Sequence, residues 1–380
     1  MGERTDLLVI GAGPYAYSAA SWARDNGIDT KVVGVPMSFW REQMPADMFL
    51  RSGPDWHLDA AGEHTFQAYF EEKGLDPRDH DPVPIGVFLD HTDWFREQKG
   101  FDVDQRLVDT LETDGSVDGG FTATLDDGTT IPAEKVLAAP GVRHFVALPA
   151  WHEGVPEHRR AHTVDLVDFD ALAGARVVVV GGRQSAYEWA ALLCDHGAAS
   201  VDVVHRHPTP AFERVSWQFV NPYVEQTLAH RGWWRSLSAD EQRAIALEFW
   251  QVGRLTLEPW LTPRLKAEVV TVHASCEVVE VEERDDATVL GLTDGSRLTA
   301  DFVVFASGYR ADIGRVAYLE PLLDSLAVTD GFPQLSEGFE TSVPGLFITG
   351  FASTRDFGPF YGFTKGCPSS ATLAVAEMLR

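Results

Sequence analysis

Two short glycine bends carry the residues best suited to chemistry. The first is Gly11-Ala12-Gly13-Pro14-Tyr15-Ala16, directly after the apolar run Asp6-Leu7-Leu8-Val9-Ile10. In that position Gly11 permits a tight turn, and Gly13 lets a pyrophosphate approach the backbone. The small Ala16 lets the following helix pack close to the strand. The free amides and partial positive charge of a helix N-terminus then face the phosphates. The string is weak alone, and a plain tight turn is its bland reading; strand, turn and helix in order favour dinucleotide binding. The second bend is Gly181-Gly182-Arg183-Gln184-Ser185-Ala186, after Arg176-Val177-Val178-Val179-Val180. Arg183 replaces the usual second glycine and brings a guanidinium beside a phosphate. His205-Arg206-His207 follows the next strand, where an NAD site carries an acid. Arg206 there suits the 2′-phosphate of NADPH; a solvated basic loop is the alternative.

One element is missing from the first bend. The ribose-binding acid expected about 20 residues on is replaced by Gly34, after Val32-Val33. Further candidates lie in the long stretch after the second strand: Trp40-Arg41, and Met48-Phe49-Leu50-Arg51-Ser52. Contact with a cofactor or substrate is one reading of them; ordinary packing for Trp40 and surface ion pairs for Arg41 and Arg51 is the other. The histidines show no H-E-x-x-H spacing, so no metal site is expected. No G-x-S-x-G elbow is present to seat a hydrolase nucleophile.

The elements around these residues predict an α/β fold. Asp6–Ile10, a helix over Ala16–Arg24 and a strand over Asp29–Val33 make a minimal βαβ unit. Residues 36–84 read as a long irregular stretch, a length that points to function. Phe121–Thr124 and Thr129–Ile131 form a hairpin across Asp127-Gly128, and Lys135–Ala139 is a separate strand. The βαβ pattern restarts at Arg176, with a helix over Tyr187–Cys194 and a strand over Val201–Val204. Residues 208–262 hold five of the eleven tryptophans and read as a helical insertion. There, Ser238 and Glu241 spell a capping box. Asp301–Ala306 and Gly345–Thr349 are later strands, and a last helix spans Ser369–Leu379.

Length and composition agree. A chain of 380 residues suits two domains, and 44% hydrophobic residues can build large cores. The balance of 31 basic to 57 acidic residues, a formal charge of −26, argues against nucleic acid and anionic membrane surfaces. Cys194, Cys276 and Cys367 form no C-x-x-C pair, which excludes a thioredoxin-type disulfide exchange site and fits a reducing, cytoplasmic setting. The charged opening Gly2-Glu3-Arg4-Thr5-Asp6 leaves no room for a signal peptide, and no apolar run is long enough to span a bilayer.

The order of GAGPYAYSAA, Phe39-Trp40-Arg41, GGRQSA, Phe305-Ala306-Ser307-Gly308-Tyr309-Arg310 and PGLFITG at 344–350 resembles the class B flavoprotein monooxygenases. These include flavin-containing monooxygenases and lysine/ornithine N-hydroxylases. The resemblance implies two Rossmann-like domains, the second inserted into the first: an FAD domain over 1–165 and 301–380, and a nicotinamide domain over 166–300 carrying the insertion 208–262. It implies FAD held by Gly11, Gly13, Pro14, Tyr15, Ala16, Trp40 and Arg41, and NADPH held by Gly181, Arg183, Gln184, Ser185 and Arg206. Ser307-Gly308-Tyr309, Gly350 and Asp356 complete its cofactor contacts. Leu50-Arg51-Ser52 looks like the counterpart of a Leu-Lys-Asp near the substrate, which makes Arg51 and Ser52 the catalytic candidates. The activity implied is transfer of one oxygen atom from O2, through a C4a-(hydro)peroxyflavin, to the amine nitrogen of a small molecule. Baeyer–Villiger or sulfur oxidation on the same scaffold, a flavin reductase without oxygen transfer, and a nucleotide sensor without turnover are the rivals. The sequence assigns neither substrate nor oligomeric state.

Overall fold

The computed structural model describes residues 4–115 and 119–380; Gly2 and Glu3 of the charged opening lie outside the described residues. The strands that position the site are β1 (Thr5–Ile10), β2 (Thr30–Val33), β3 (Val108–Thr113), β4 (Phe121–Leu125), β5 (Thr130–Ala138), β6 (Arg160–His162), β7 (Arg176–Val180), β8 (Ser200–His205), β9 (Val270–Ala274), β10 (Phe302–Phe305) and β11 (Leu346–Ile348). They form two sheets, and the fold is α/β. The first has the order β2-β1-β5-β4-β3, with β11 also paired to β5. The second, β9-β8-β7-β10-β6, is parallel throughout.

Both central strands are apolar because both their faces are covered. Leu7, Leu8 and Val9 of β1 and Val177, Val178 and Val179 of β7 are buried. Each strand feeds a helix of 12 residues, α1 (Pro14–Asp25) and α2 (Gln184–Asp195). Helix α1 packs against the C-terminal helix α3 (Cys367–Met378).

Several elements differ from the sequence reading. The hairpin arm at 129–131 and the strand at 135–139 are one strand, β5. Its first half pairs antiparallel with β4 and its second half parallel with β1. The supposedly irregular stretch 36–84 contains helices Ser38–Glu42 and Phe66–Lys73. The Thr65 hydroxyl caps the latter by accepting from the Ala68 amide at 3.2 Å, and Gly74 ends it in the left-handed conformation. The Ser238–Glu241 capping box is present and starts a helix over Ala239–Glu248. That helix then widens into a π-helix over Phe249–Arg254.

Strand β10 pairs with β6 and β7. The expected boundaries at 165/166 and 300/301 place both β6 and β10 with the first unit, whereas their hydrogen bonds are to the second sheet. The tryptophan-rich segment does the reverse. It is inserted between β8 and β9 of the second sheet, yet Trp217, Trp234 and Phe249 belong to the hydrophobic core of the first unit. The insertion therefore bridges the two units. No helix among the described residues is long and apolar enough to cross a membrane.

Candidate functional site

The two glycine bends are built alike. At each, a strand ends against the carbonyl that follows its parallel neighbour. A Cβ on Gly11 would lie 2.5 Å from the Ala139 oxygen, and one on Gly181 would lie 2.4 Å from the Ala306 oxygen. Gly11 also has φ +111°, which side chains rarely adopt. The next glycine, Gly13, is the N-cap of α1. No side chain caps this helix, and nothing stands within 4 Å of where a Gly13 Cβ would be. Arg183 holds the same extended N-cap position on α2, again without a side-chain cap. Two uncapped helix N-termini, the first with open space before Gly13 and the second headed by Arg183, fit two diphosphates.

The missing ribose acid has a structural cause. Gly34 has φ +138°, and a Cβ there would sit 3.2 Å from the Gly11 backbone. An aspartate at this position would press on the very turn it should serve.

Both bends open onto one cavity of about 1280 Å³. Single-ligand pockets are usually about 300–1,000 Å³, so this one has room for two dinucleotides to meet. Of the candidates from sequence, Gly11, Gly13, Pro14, Tyr15, Ala16, Trp40, Arg51, Ser52, Arg183, Gln184, Ser185, Ser307, Gly308, Tyr309 and Gly350 line it. The Tyr15 hydroxyl is aimed at the carbonyls of Tyr361 and, at 2.8 Å, Phe363. It ties α1 to the C-terminal segment. Ser307 donates to the Ala147 carbonyl at 2.5 Å, fixing the segment that crosses between the sheets.

Four candidates lie off the cavity wall. Arg41 points outward and pairs with Asp93 at 2.6 Å; successive helical residues do not share a face, so Trp40 inside puts Arg41 outside. Gly181 shapes the bend from behind, donating its amide to Val204 at 3.0 Å. Arg206 is exposed at the end of β8. The Asp356 carboxylate accepts from the Leu335 amide at 2.8 Å and serves the chain fold.

Arg51 is not free to grip a ligand unaided. Its Nε donates to Glu258 at 3.1 Å and its Nη2 to the Thr256 hydroxyl at 3.1 Å, with the guanidinium over Trp217. The Glu258 amide in turn donates to the Gln184 side chain at 3.0 Å. This chain of bonds joins the 36–84 segment, the π-helical insertion and the second bend.

Sequence reasoning gave no site role to three cavity residues, Glu188, Trp250 and Arg254. Gly182 holds a backbone position against which His205 packs; a Cβ there would be 2.4 Å from the imidazole Cγ. His205 Nδ1 faces the His207 carbonyl, so it carries the proton, and Nε2 accepts from the Tyr187 hydroxyl at 2.9 Å. Glu188 lies one turn beyond Gln184 on the same face of α2 and lines the cavity. Burial pushes its carboxyl up to about 8, against the pull of Arg264, the Phe49 backbone and Arg51. Arg254 and Trp250, on the π-helix, also face the cavity. The spacing of Gln184 and Glu188 was a usable signal; nothing local foretold the π-turn. Away from the cavity, Asp59, Glu63 and His64 bring three potential ligand atoms within 4.8 Å. Asp59 there already receives Lys99 at 3.0 Å and the amides of Ala61, Glu63 and His64.

Two strand–glycine–helix units around one shared cleft define an oxidoreductase that sets one dinucleotide against another. The chain belongs to the pyridine nucleotide-disulphide oxidoreductase family, whose model matches residues 5–237, and with it to flavin- and NAD(P)-binding oxidoreductases. It is 27% identical over 351 residues to an FAD-dependent urate hydroxylase of Xanthomonas campestris pv. campestris, covering 83% of this chain and 71% of that protein. It is 30% identical over 359 residues to a ferredoxin–NADP reductase of Paraburkholderia xenovorans, covering 91% and 80%. Its fold is shared with the ornithine N-hydroxylase of Kutzneria sp. 744, at a TM-score of 0.81 and 15% identity, over 100% of this chain and 99% of that one. Despite the family's name, Cys194, Cys276 and Cys367 are all buried and unpaired, which leaves no dithiol to exchange with a disulfide.

Proposed function

We propose that this chain is an FAD- and NADPH-dependent monooxygenase that hydroxylates an amine nitrogen of a small molecule. FAD, when bound, supplies the hydride acceptor and the activation of O2. One oxygen atom enters an N–H bond. The other leaves as water, with the hydride of NADPH and one proton. The protein's part is to position the three reactants and to keep water away from them.

The observation that carries this reading is the single cavity onto which both bends open, with aromatic and arginine walls beyond the two bends. A reductase needs the two dinucleotides alone; the aromatic and arginine wall of Trp217, Phe249, Phe363 and Arg254 belongs to neither bend and offers surface to a third, reacting molecule. Gln184 and Ser185 would receive the nicotinamide nucleotide, with Arg183 beside its phosphates. Gly11, Gly13 and Ala16 would receive the flavin nucleotide. We place the second unit at about 160–306, following the pairing of β6 and β10, and the first on either side of it.

The likeness to ferredoxin–NADP reductase favours a second reading, electron transfer without oxygen insertion. Oxygen uptake and peroxide release, measured together during NADPH oxidation, separate the two. The monooxygenase consumes O2 in step with NADPH when its substrate is present and releases little peroxide. Peroxide equal to the NADPH consumed, under every substrate tried, contradicts it.

A further inference from the structure

The cavity wall reverses the charge of the protein. The chain carries 57 acidic and 31 basic residues, yet Arg51, Arg143, Arg183, Arg254 and Arg355 line the cavity against only Glu188 and Asp330. Burial holds the Glu188 carboxyl mostly protonated at neutral pH, and Asp330 is exposed. An anion is what such a wall attracts.

The arginines are not equivalent. Arg51 is neutralised by Glu258. Arg183 stands at the second bend, 4.2 Å from the Trp250 ring centroid, where a nucleotide phosphate would meet it. Arg254 is on neither bend. It ends the π-helix, with its guanidinium carbon 4.9 Å from the Phe363 centroid and 5.8 Å from that of Trp250. Its Nε is shielded from solvent and has no hydrogen-bond partner, and no ion pair or side-chain hydrogen bond satisfies its guanidinium among the described residues. A half-buried guanidinium without a counter-charge is costly to keep. π-Turns recur at functional sites, and this one is locked in place: a Cβ on Gly253 would lie 2.6 Å from the Trp217 ring. Around Arg254, the rings of Trp217, Phe249 and Phe363 lie within 6.0 Å of one another, centroid to centroid.

We propose that Arg254 grips the anionic group of the substrate, and that the substrate is a flat aromatic or heteroaromatic acid seated against Trp217, Phe249 and Phe363. A guanidinium takes a carboxylate with two parallel hydrogen bonds, and aromatic walls favour a flat body over a flexible chain. Among the described residues, no buried ionised carboxylate faces the cavity to receive an aliphatic ammonium. The reactive nitrogen is then a neutral one on or in the ring. This specificity rests on the monooxygenase reading only for what happens to the molecule once bound.

The test uses the FAD-loaded protein without NADPH, so that binding is read apart from turnover. 4-Aminobenzoate, 4-aminobenzamide and L-ornithine are titrated in, following flavin absorbance and tryptophan fluorescence. 4-Aminobenzoate should bind at least about tenfold more tightly than the isosteric amide, as a charge-assisted pair requires, and more tightly than L-ornithine. Arg254→Gln should erase the difference and Arg254→Lys should keep part of it, with flavin content and NADP+ affinity unchanged in both. Equal affinity for acid and amide, tighter binding of L-ornithine, or no binding of 4-aminobenzoate overturns the proposal. So does a loss of NADP+ affinity in Arg254→Gln with aminobenzoate binding intact, which assigns Arg254 to the nucleotide. A protein that binds the acid as described but never couples O2 to it contradicts the monooxygenase reading and leaves the anion site standing.

Discussion

Arg51 and Glu258, 207 positions apart in sequence, form an ion pair of 3.1 Å with side chains only 12% and 7% exposed. The pair pins the segment after the first βαβ unit to the residue that follows the short strand Thr256–Leu257, just beyond the π-helix. Through the Glu258 amide and Gln184 it also reaches the second glycine bend. Arg51 is thereby a brace for the cavity, and its charge is already spent within the protein.

Removing one member of this pair should cost stability. Arg51→Ala leaves a buried carboxylate without its cation, a loss of about 3 kcal/mol or more. Urea unfolding checks this. The Arg51→Met/Glu258→Gln double variant should recover much of that loss, because the orphaned charge goes too. If Arg51→Ala unfolds at the wild-type midpoint, the pair is not a brace.

The first bend depends on glycine at two touching positions. Gly34→Asp forces a side chain at φ +138° and toward the Gly11 backbone 3.2 Å away, a strain of about 1–3 kcal/mol. The variant should lose most of its bound flavin while the second bend keeps its affinity for NADP+. Full flavin content in purified Gly34→Asp would show that the contact between the two glycines is unimportant.

The second bend predicts a different split. Arg183 has no carboxylate partner among the described residues and stands at the N-cap of α2. Arg183→Ala should raise the NADPH KM by about tenfold or more, the worth of a charge-assisted hydrogen bond, while flavin content holds. Arg206 is exposed at the end of β8; its replacement should lower the preference for NADPH over NADH. An unchanged preference would remove Arg206 from the 2′-phosphate site.

Glu188 makes stability depend on pH in a defined direction. Its folded carboxyl titrates near 8 against an ordinary value of 4.5. Between those values the folded protein holds a proton that the unfolded chain has released. Its contribution is therefore complete below about pH 4.5 and is lost as pH rises through about 8. Urea midpoints measured from pH 5 to 9 should fall with pH in the wild type, and Glu188→Gln should flatten that fall. Identical slopes in the two proteins would place the titration elsewhere.

The glycine bends were legible in sequence because each is local: an apolar strand, a turn and an uncapped helix lie within about 20 residues. The same holds for the Ser238–Glu241 capping box and for the α/β class. What escaped depends on distant contacts. The apolar run at 302–305 would suit either sheet, and only its hydrogen bonds to β6 and β7 assign it. Arg41 was read with Trp40 as a unit, although neighbours on a helix face different ways. Arg51 was legible as a cavity residue, but Glu258 beside it was not. Arg254 emerges only because the helix widens into a π-turn and brings the guanidinium round to Phe363.

The claim on which all of this stands is that two dinucleotides share one cavity. Crystals of the protein grown with FAD and NADP+ address it most directly. The density should show one diphosphate at Gly11–Gly13 and the other at Gly181–Arg183, with the isoalloxazine and nicotinamide rings converging between them. Density for only one nucleotide at saturating concentrations of both, or for a second one bound outside this cavity, would contradict the account.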